Sequence, residues 1–270
     1  MHALHRVDDW PVETAAVAVV RRDGEVLGYR GPTDRVLPLA SVTKPLAAYA
    51  VLVATEEEAL GLDEAVGPEG STVRHLLAHA SGLAYDKPEK VAEPGTRRIY
   101  SNAGFELLGA TLEQATGIGF AGYLREAVLE PLGMASTRLD GSPAADAHAS
   151  TEDLARFAAE LLAPRLVDVS TASAATSVQF AGLAGVLPGF GRQDPNDWGL
   201  GLEVRGDKSP HWTGRGNSVR TVGHFGQSGT FVWADPSAGL ACVCLTDRDF
   251  GPWAAEVWPA LSDAVLAEAS

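Results

Sequence analysis

Ser41 stands three residues before Lys44 in Leu39-Ala40-Ser41-Val42-Thr43-Lys44-Pro45. On a helix that spacing puts both side chains on one face, about one turn apart. A serine hydroxyl is a weak nucleophile until a base sits beside it. A lysine kept neutral by burial or neighbouring charge can be that base. Alone the pattern is weak: in 270 residues it arises by chance, and then marks a helix start with a solvated lysine. Chemistry at Ser41 therefore needs partners from elsewhere. Tyr100-Ser101-Asn102 offers a phenol and an amide two residues apart, ahead of a helical run. A tyrosinate stabilised by a nearby ammonium can take or pass a proton. Read by itself, the same stretch is a core tyrosine with Asn102 as helix N-cap. His224-Phe225-Gly226-Gln227 lies at the edge of a strand-like run, where glycine lets a ligand approach the backbone. A lone histidine there is more often structural.

Two other patterns carry less. Gly117-Ile118-Gly119-Phe120-Ala121-Gly122 fits G-x-G-x-x-G but follows a helix rather than a strand, so helix-terminating glycines explain it better. His75 and His79 have the i, i+4 spacing of zinc ligands, yet no glutamate follows His75 and no third ligand is evident; packing and hydrogen bonding are expected. No metal or cofactor is called for. A G-x-S-x-G elbow is missing, which weighs against an ordinary α/β-hydrolase.

The elements that must position these residues follow from periodicity. Ala15–Val20 and Glu25–Arg30 read as strands joined by a hairpin turn at Asp23-Gly24. The run from Leu46 to about Leu60 reads as a buried helix. Pro45 disfavours helical geometry at Lys44, so the helix must begin close to Ser41 or carry a distortion there. Further helices are expected at Thr72–His79, after Asn102, at Phe120–Leu129, from Thr151, near 171–184 and over Pro252–Ala267. Strands return at 219–224, 229–234 and 240–246. Two strands, a long insert, three strands and a helix imply an α+β chain. One domain is expected: a sheet lobe from about 12–45 and 219–270, and a helical lobe over about 46–218.

Lys+Arg 21 against Asp+Glu 35 gives a net charge of −14. With no basic cluster, nucleic acid and anionic membranes are poor partners. Cys242 and Cys244 are two apart on a strand and point to one face, so they are expected as buried free thiols suited to a reducing compartment. The N-terminal stretch lacks the apolar core of a signal peptide, and a cytoplasmic location is expected.

Ser41-Val42-Thr43-Lys44, Tyr100-Ser101-Asn102 and His224-Phe225-Gly226 have the order and rough spacing of the three motifs of the serine β-lactamase-like family. They resemble the branch that holds class C β-lactamases, D-alanyl-D-alanine carboxypeptidases and related esterases. Connecting segments resemble it too, among them Leu76-Leu77-Ala78-His79-Ala80-Ser81-Gly82-Leu83, Glu93-Pro94-Gly95-Thr96 and Trp198-Gly199-Leu200-Gly201. The resemblance implies a five-stranded antiparallel sheet flanked by helices, with an all-helical lobe and the active site in the seam. It implies Ser41 as acylated nucleophile, with Lys44 and Tyr100 sharing the proton transfers. Asn102 would bond Lys44 and the substrate. His224, Phe225 and Gly226 would form the third substrate-binding motif, and the backbone N–H groups of Ser41 and Gln227 the oxyanion hole. His224 replaces the lysine, and Phe225 the hydroxyl residue, that would hold a substrate carboxylate. The expectation is a serine hydrolase acting on a small ester or uncharged amide. A β-lactamase or DD-peptidase and a catalytically idle binding module are the alternatives.

Overall fold

The computed structural model describes residues 1–269. The first apolar run forms β1 (Ala15–Arg21), and the turn through Gly24, at φ +86°, returns it as β2 (Val26–Arg30). After β3 (Leu37–Pro38) the chain enters the insert. Its helices are α1 (Thr43–Glu56), α2 (Val73–Leu77), α3 (Asn102–Thr116) and α4 (Phe120–Leu124). β4 (Arg138–Leu139) and β5 (Ala147–Ala149) follow, then α5 (Thr151–Leu162) and α6 (Val169–Thr176). The insert closes with β6 (Gly185–Leu187), β7 (Gly191–Gln193) and β8 (Glu203–Val204). β9 (Val222–Gly226), β10 (Thr230–Asp235), β11 (Leu240–Thr246) and α7 (Pro252–Ala269) complete the chain.

The main sheet runs β2-β1-β11-β10-β9-β8, antiparallel throughout. The expected sheet from both chain ends is present, with the two-residue β8 added at the edge beside β9. Its central strands are buried on both faces, so they read as continuous apolar runs. Alternation still sorts the faces. Val17, Val19, Phe231, Trp233, Cys242 and Cys244 pack with Trp258 of α7, whereas Ala18, Val20, Val232, Val243 and Leu245 join the core shared with α1 and α5. Both cysteines are free and buried, as their spacing implies.

The insert is not wholly helical. Its β4 and β5 form a small sheet with β3, and β6 pairs with β7. Strands of two or three residues carry too few alternations to be recognised in sequence. The helix expected near 171–184 is α6, eight residues long, and it stops where Ser177 turns extended. The 120–129 helix is α4 continued by a π-helical turn over Arg125–Leu129. Gly117, at φ +71°, caps α3 as anticipated for the first glycine of the G-x-G-x-x-G match.

Candidate active site

Ser41 lies in a short 3₁₀ turn, Ala40–Val42, that runs into α1. This accounts for Pro45. The α-helix starts at Thr43, so Pro45 falls in its first turn, where a backbone N–H has no acceptor within the helix. The residue before Ser41, Ala40, sits at φ +44°, a left-handed conformation that costs a non-glycine residue about 1 kcal/mol or more. Neighbouring strands hold that turn in place. Thr230 Oγ1 donates to the Leu39 carbonyl at 2.9 Å and Ser228 Oγ to the Pro38 carbonyl at 2.8 Å. Gly226 belongs to the same support. A Cβ there would lie 2.3 Å from the Leu39 carbonyl oxygen, so glycine lets β9 press against the turn that carries Ser41. Glycine there serves close packing of backbone on backbone.

Lys44 is fully buried. Its Nζ donates to Asn102 Oδ1 at 2.7 Å and to the Ala144 carbonyl at 2.9 Å, and lies 3.4 Å from Ser41 Oγ. All three partners are uncharged. Burial pushes the ammonium down to about 7, with Asp86 and Glu106 pulling the other way. Tyr100 covers it, its ring centroid 4.6 Å from Nζ. Asn102 is aimed by Asp86, whose Oδ1 accepts from Asn102 Nδ2 at 2.8 Å and turns the amide oxygen toward Lys44. Ser101 caps α3 by accepting from Gly104 N, and Asn102 is therefore the first helical residue with its amide left for the site.

Tyr100 is held from both sides along the backbone. The His79 carbonyl accepts from Ile99 N at 2.9 Å, and His79 Nδ1 accepts from Ser101 N at 3.1 Å. The His79 ring lies 4.5 Å from that of Tyr100 and meets Trp198 edge-on at 4.6 Å. Burial drives His79 well below the usual imidazole range, so it stays neutral. Burial raises the Tyr100 phenol, against a hydrogen bond from Ser41, and it rests protonated. A resting tyrosinate is thus not the form present; Lys44 is the basic group at neutral pH.

His224 faces Tyr100, its Nε2 3.5 Å from the phenol oxygen. Its Nδ1 donates to the Phe225 carbonyl at 2.7 Å, which leaves Nε2 as the acceptor. Burial, then the nearby Lys44, lower it to about 3, so the ring is neutral. Phe225 borders the cleft, but strand alternation sends its ring to the α7 side, 4.8 Å from Phe250 and 5.7 Å from Trp212. Gln227 stands in the turn after β9 and lines the same cleft as Ser41, Tyr100 and His224. The eight residues singled out from Ser41 to Gln227 come together around this seam, with the Phe225 ring turned away from it.

Several participants were not legible as such. The Ala144 carbonyl has no side-chain signature. Asp86 and Tyr85 come from an irregular loop. His79 is the packing and hydrogen-bonding residue its spacing suggests, and what it packs is Tyr100. Trp198 lines the cleft, and its signal lay in Trp198-Gly199-Leu200-Gly201. Gly201, at φ +75°, has no room for a Cβ, which would fall 2.1 Å from Ala48 Cβ of α1. His75 bonds Thr72 at 2.9 Å and stacks on Phe180 at 4.1 Å. Among the described residues no cluster of three or more His, Cys, Asp or Glu could hold a metal ion.

A serine, a buried lysine and a tyrosine thus meet between an antiparallel sheet and a largely helical insert. The chain belongs to the β-lactamase family, which it matches over residues 7–267. A β-lactamase structure from Mycobacterium bovis is similar at 58% identity, over 99% of each chain, with a TM-score of 0.97. A penicillin-binding protein of Bacillus subtilis is 29% identical over 40% of this chain and 31% of that protein. An esterase of Burkholderia gladioli is 34% identical over 44% of this chain and 45% of that protein. The chain thus spans less than half the length of these two curated relatives.

Proposed function

We propose that the protein hydrolyses an ester through an acyl-enzyme on Ser41. The observation that carries this reading is the Lys44 amine, buried among uncharged partners 3.4 Å from Ser41 Oγ, which keeps a neutral base beside the nucleophile near neutral pH. Lys44 takes the Ser41 proton as Oγ attacks the carbonyl carbon. The N–H groups of Ser41 and Gln227 receive the oxyanion; one such donor is worth roughly 100–1,000-fold in kcat. The C–O bond to the alcohol breaks, and the proton passes from Lys44 by way of Tyr100 to the leaving oxygen. Water then attacks the acyl carbonyl, gives a proton back through the same pair, and restores the Ser41 hydroxyl. His224 Nε2 accepts from the Tyr100 hydroxyl and orients it. Asn102 holds the Lys44 amine.

The neutral His224 supports an ester over a β-lactam or D-alanyl peptide. An imidazole lowered to about 3 supplies no charge for a carboxylate at the third motif, and Phe225 supplies no hydroxyl. The competing β-lactamase reading is favoured by the description of the Mycobacterium bovis structure. A substrate panel separates the two. Turnover of 4-nitrophenyl esters, lost in Ser41→Ala, with slow or no turnover of nitrocefin, is expected. Nitrocefin hydrolysis that outpaces every ester would reverse the choice. Absence of fluorophosphonate labelling at Ser41 would reduce the chain to a binding module. The described helices include none long and apolar enough to cross a membrane. The buried free thiols suit a reducing compartment, which supports a cytoplasmic setting.

A further inference from the structure

The cleft at Ser41 encloses about 170 Å³. An apolar cavity of about 150 Å³ holds a single benzene ring, so any larger substrate must extend beyond the cleft. One extension is already formed. Tyr85, Tyr100 and Pro188 border both the cleft and an adjoining groove of about 760 Å³. Its wall is rigid. The Arg98 guanidinium donates to the carbonyls of Ala78 at 2.6 Å, Gln179 at 2.7 Å and Asn196 at 3.0 Å, and its backbone bridges to Gly185.

The groove gathers three of the eight exposed large apolar side chains among the described residues. Tyr85, Val91 and Val186 are 53%, 56% and 62% exposed, and all three line it. Exposed apolar side chains concentrated in one concavity mark a ligand site. The rim is cationic although the chain carries a net charge of −14. Arg97 and Arg192 line the groove, and no carboxylate does so among the described residues. Arg192 is paired with Asp194 at 2.9 Å with both ends exposed. The Arg97 guanidinium has no ion-pair or hydrogen-bond partner among the described residues.

We infer that this groove binds the acyl arm of the substrate, and that the arm is an apolar chain ending in an anionic group such as a carboxylate. The inference rests on the ester-hydrolase reading above. The acyl arm stays attached to Ser41 while the alcohol departs, so a preformed wall continuous with the cleft suits the group that must be held through both steps. The anion lies at the far end of the arm, away from the neutral His224. Both guanidiniums are solvent-exposed, so their contribution is modest and falls with salt.

The test compares the mono-4-nitrophenyl ester of octanedioic acid with the same compound capped as its methyl ester. At low salt the wild type should favour the free carboxylate about 5- to 20-fold in kcat/KM, chiefly through KM. The preference should shrink toward one in 0.5 M NaCl and in the double variant Arg97→Ala/Arg192→Ala. A wild-type ratio of one or less, or a ratio the double variant keeps, overturns the inference. If neither compound is turned over, the hydrolase reading fails and calorimetry decides the groove. Octanedioate should then bind the wild type more tightly than octanediol, and the double variant should lose the difference. Equal binding of the two probes overturns the groove assignment as well.

Discussion

Lys44 and Lys208 are both buried lysines, and their surroundings make them different reagents. Lys44 meets an amide oxygen, a backbone carbonyl and a hydroxyl. Nothing charged touches it, burial dominates, and its ammonium is lowered to about 7. Lys208 also donates to carbonyls, those of Asp197 and Val204, but its Nζ lies 3.2 Å from Glu203 Oε1. Glu203 further accepts from His211 Nε2 at 2.9 Å and Trp212 Nε1 at 2.8 Å. Burial opposes its ionisation, yet Lys208 and His211 outweigh that and hold its carboxyl at about 2. Burial without a carboxylate leaves a lysine as an available neutral amine near neutral pH; burial also pulls Lys208 below the usual lysine range, but Glu203 opposes that and holds it in an ion pair. The two groups are close, since Glu203 also borders the Ser41 cleft. One does the proposed chemistry, and the other shapes the wall beside it.

Removing each amine is expected to separate them. Lys44→Met should cut ester turnover by roughly 100- to 10,000-fold, the usual contribution of a general base, with the urea midpoint nearly kept or raised. Lys208→Met should do the reverse. It leaves Glu203 buried without its cation, a loss of about 3–5 kcal/mol, visible as a lower urea midpoint. Matching effects from the two variants would erase the distinction. Tyr100→Phe comes next. Turnover should fall about 100-fold while the folded spectrum and midpoint hold, and unchanged kinetics would remove Tyr100 from the proton path.

The smallest effect is the pH dependence of stability. Burial lowers Lys44 in the folded chain from 10.5 to about 7, so the unfolded chain binds more protons between those values. Its contribution makes stability rise with pH across that window. Glu203 acts at the other end. Its carboxyl is lowered from 4.5 to about 2, so its stabilisation is present above 4.5 and is lost as pH falls toward 2. Urea midpoints of Lys44→Met and wild type, compared at pH 6.5 and 9.5, isolate the first term. The wild type alone should gain stability between them.

The sequence exposes Lys44 and conceals Lys208 for a physical reason. Ser41 and Lys44 are neighbours on one turn, and their partners Tyr100, Asn102 and His224 sit at the ends of recognisable helices and strands. The sheet is equally plain, because long apolar runs and the Asp23-Gly24 turn have few alternatives. Glu203, Lys208 and His211 lie in the irregular 165–218 stretch, where no period relates them, and only the folding back of the loop after β8 makes them neighbours. Phe225 shows the complementary limit. Motif order placed it at the site, while alternation, equally present in sequence, sends its ring to the other face. The acceptors of Lys44 include a backbone carbonyl from residue 144, which no residue type encodes.

The neutral base at Lys44 can be tested without knowing the natural substrate. The measurement is the rate at which a fluorophosphonate labels Ser41, followed from pH 5 to 10 and checked against Ser41→Ala. A labelling rate that rises with pH to a plateau, with a midpoint near 7, is expected from the amine lowered by burial. A rate that is flat over this range, or that keeps climbing toward the ordinary lysine value of 10.5, would contradict it.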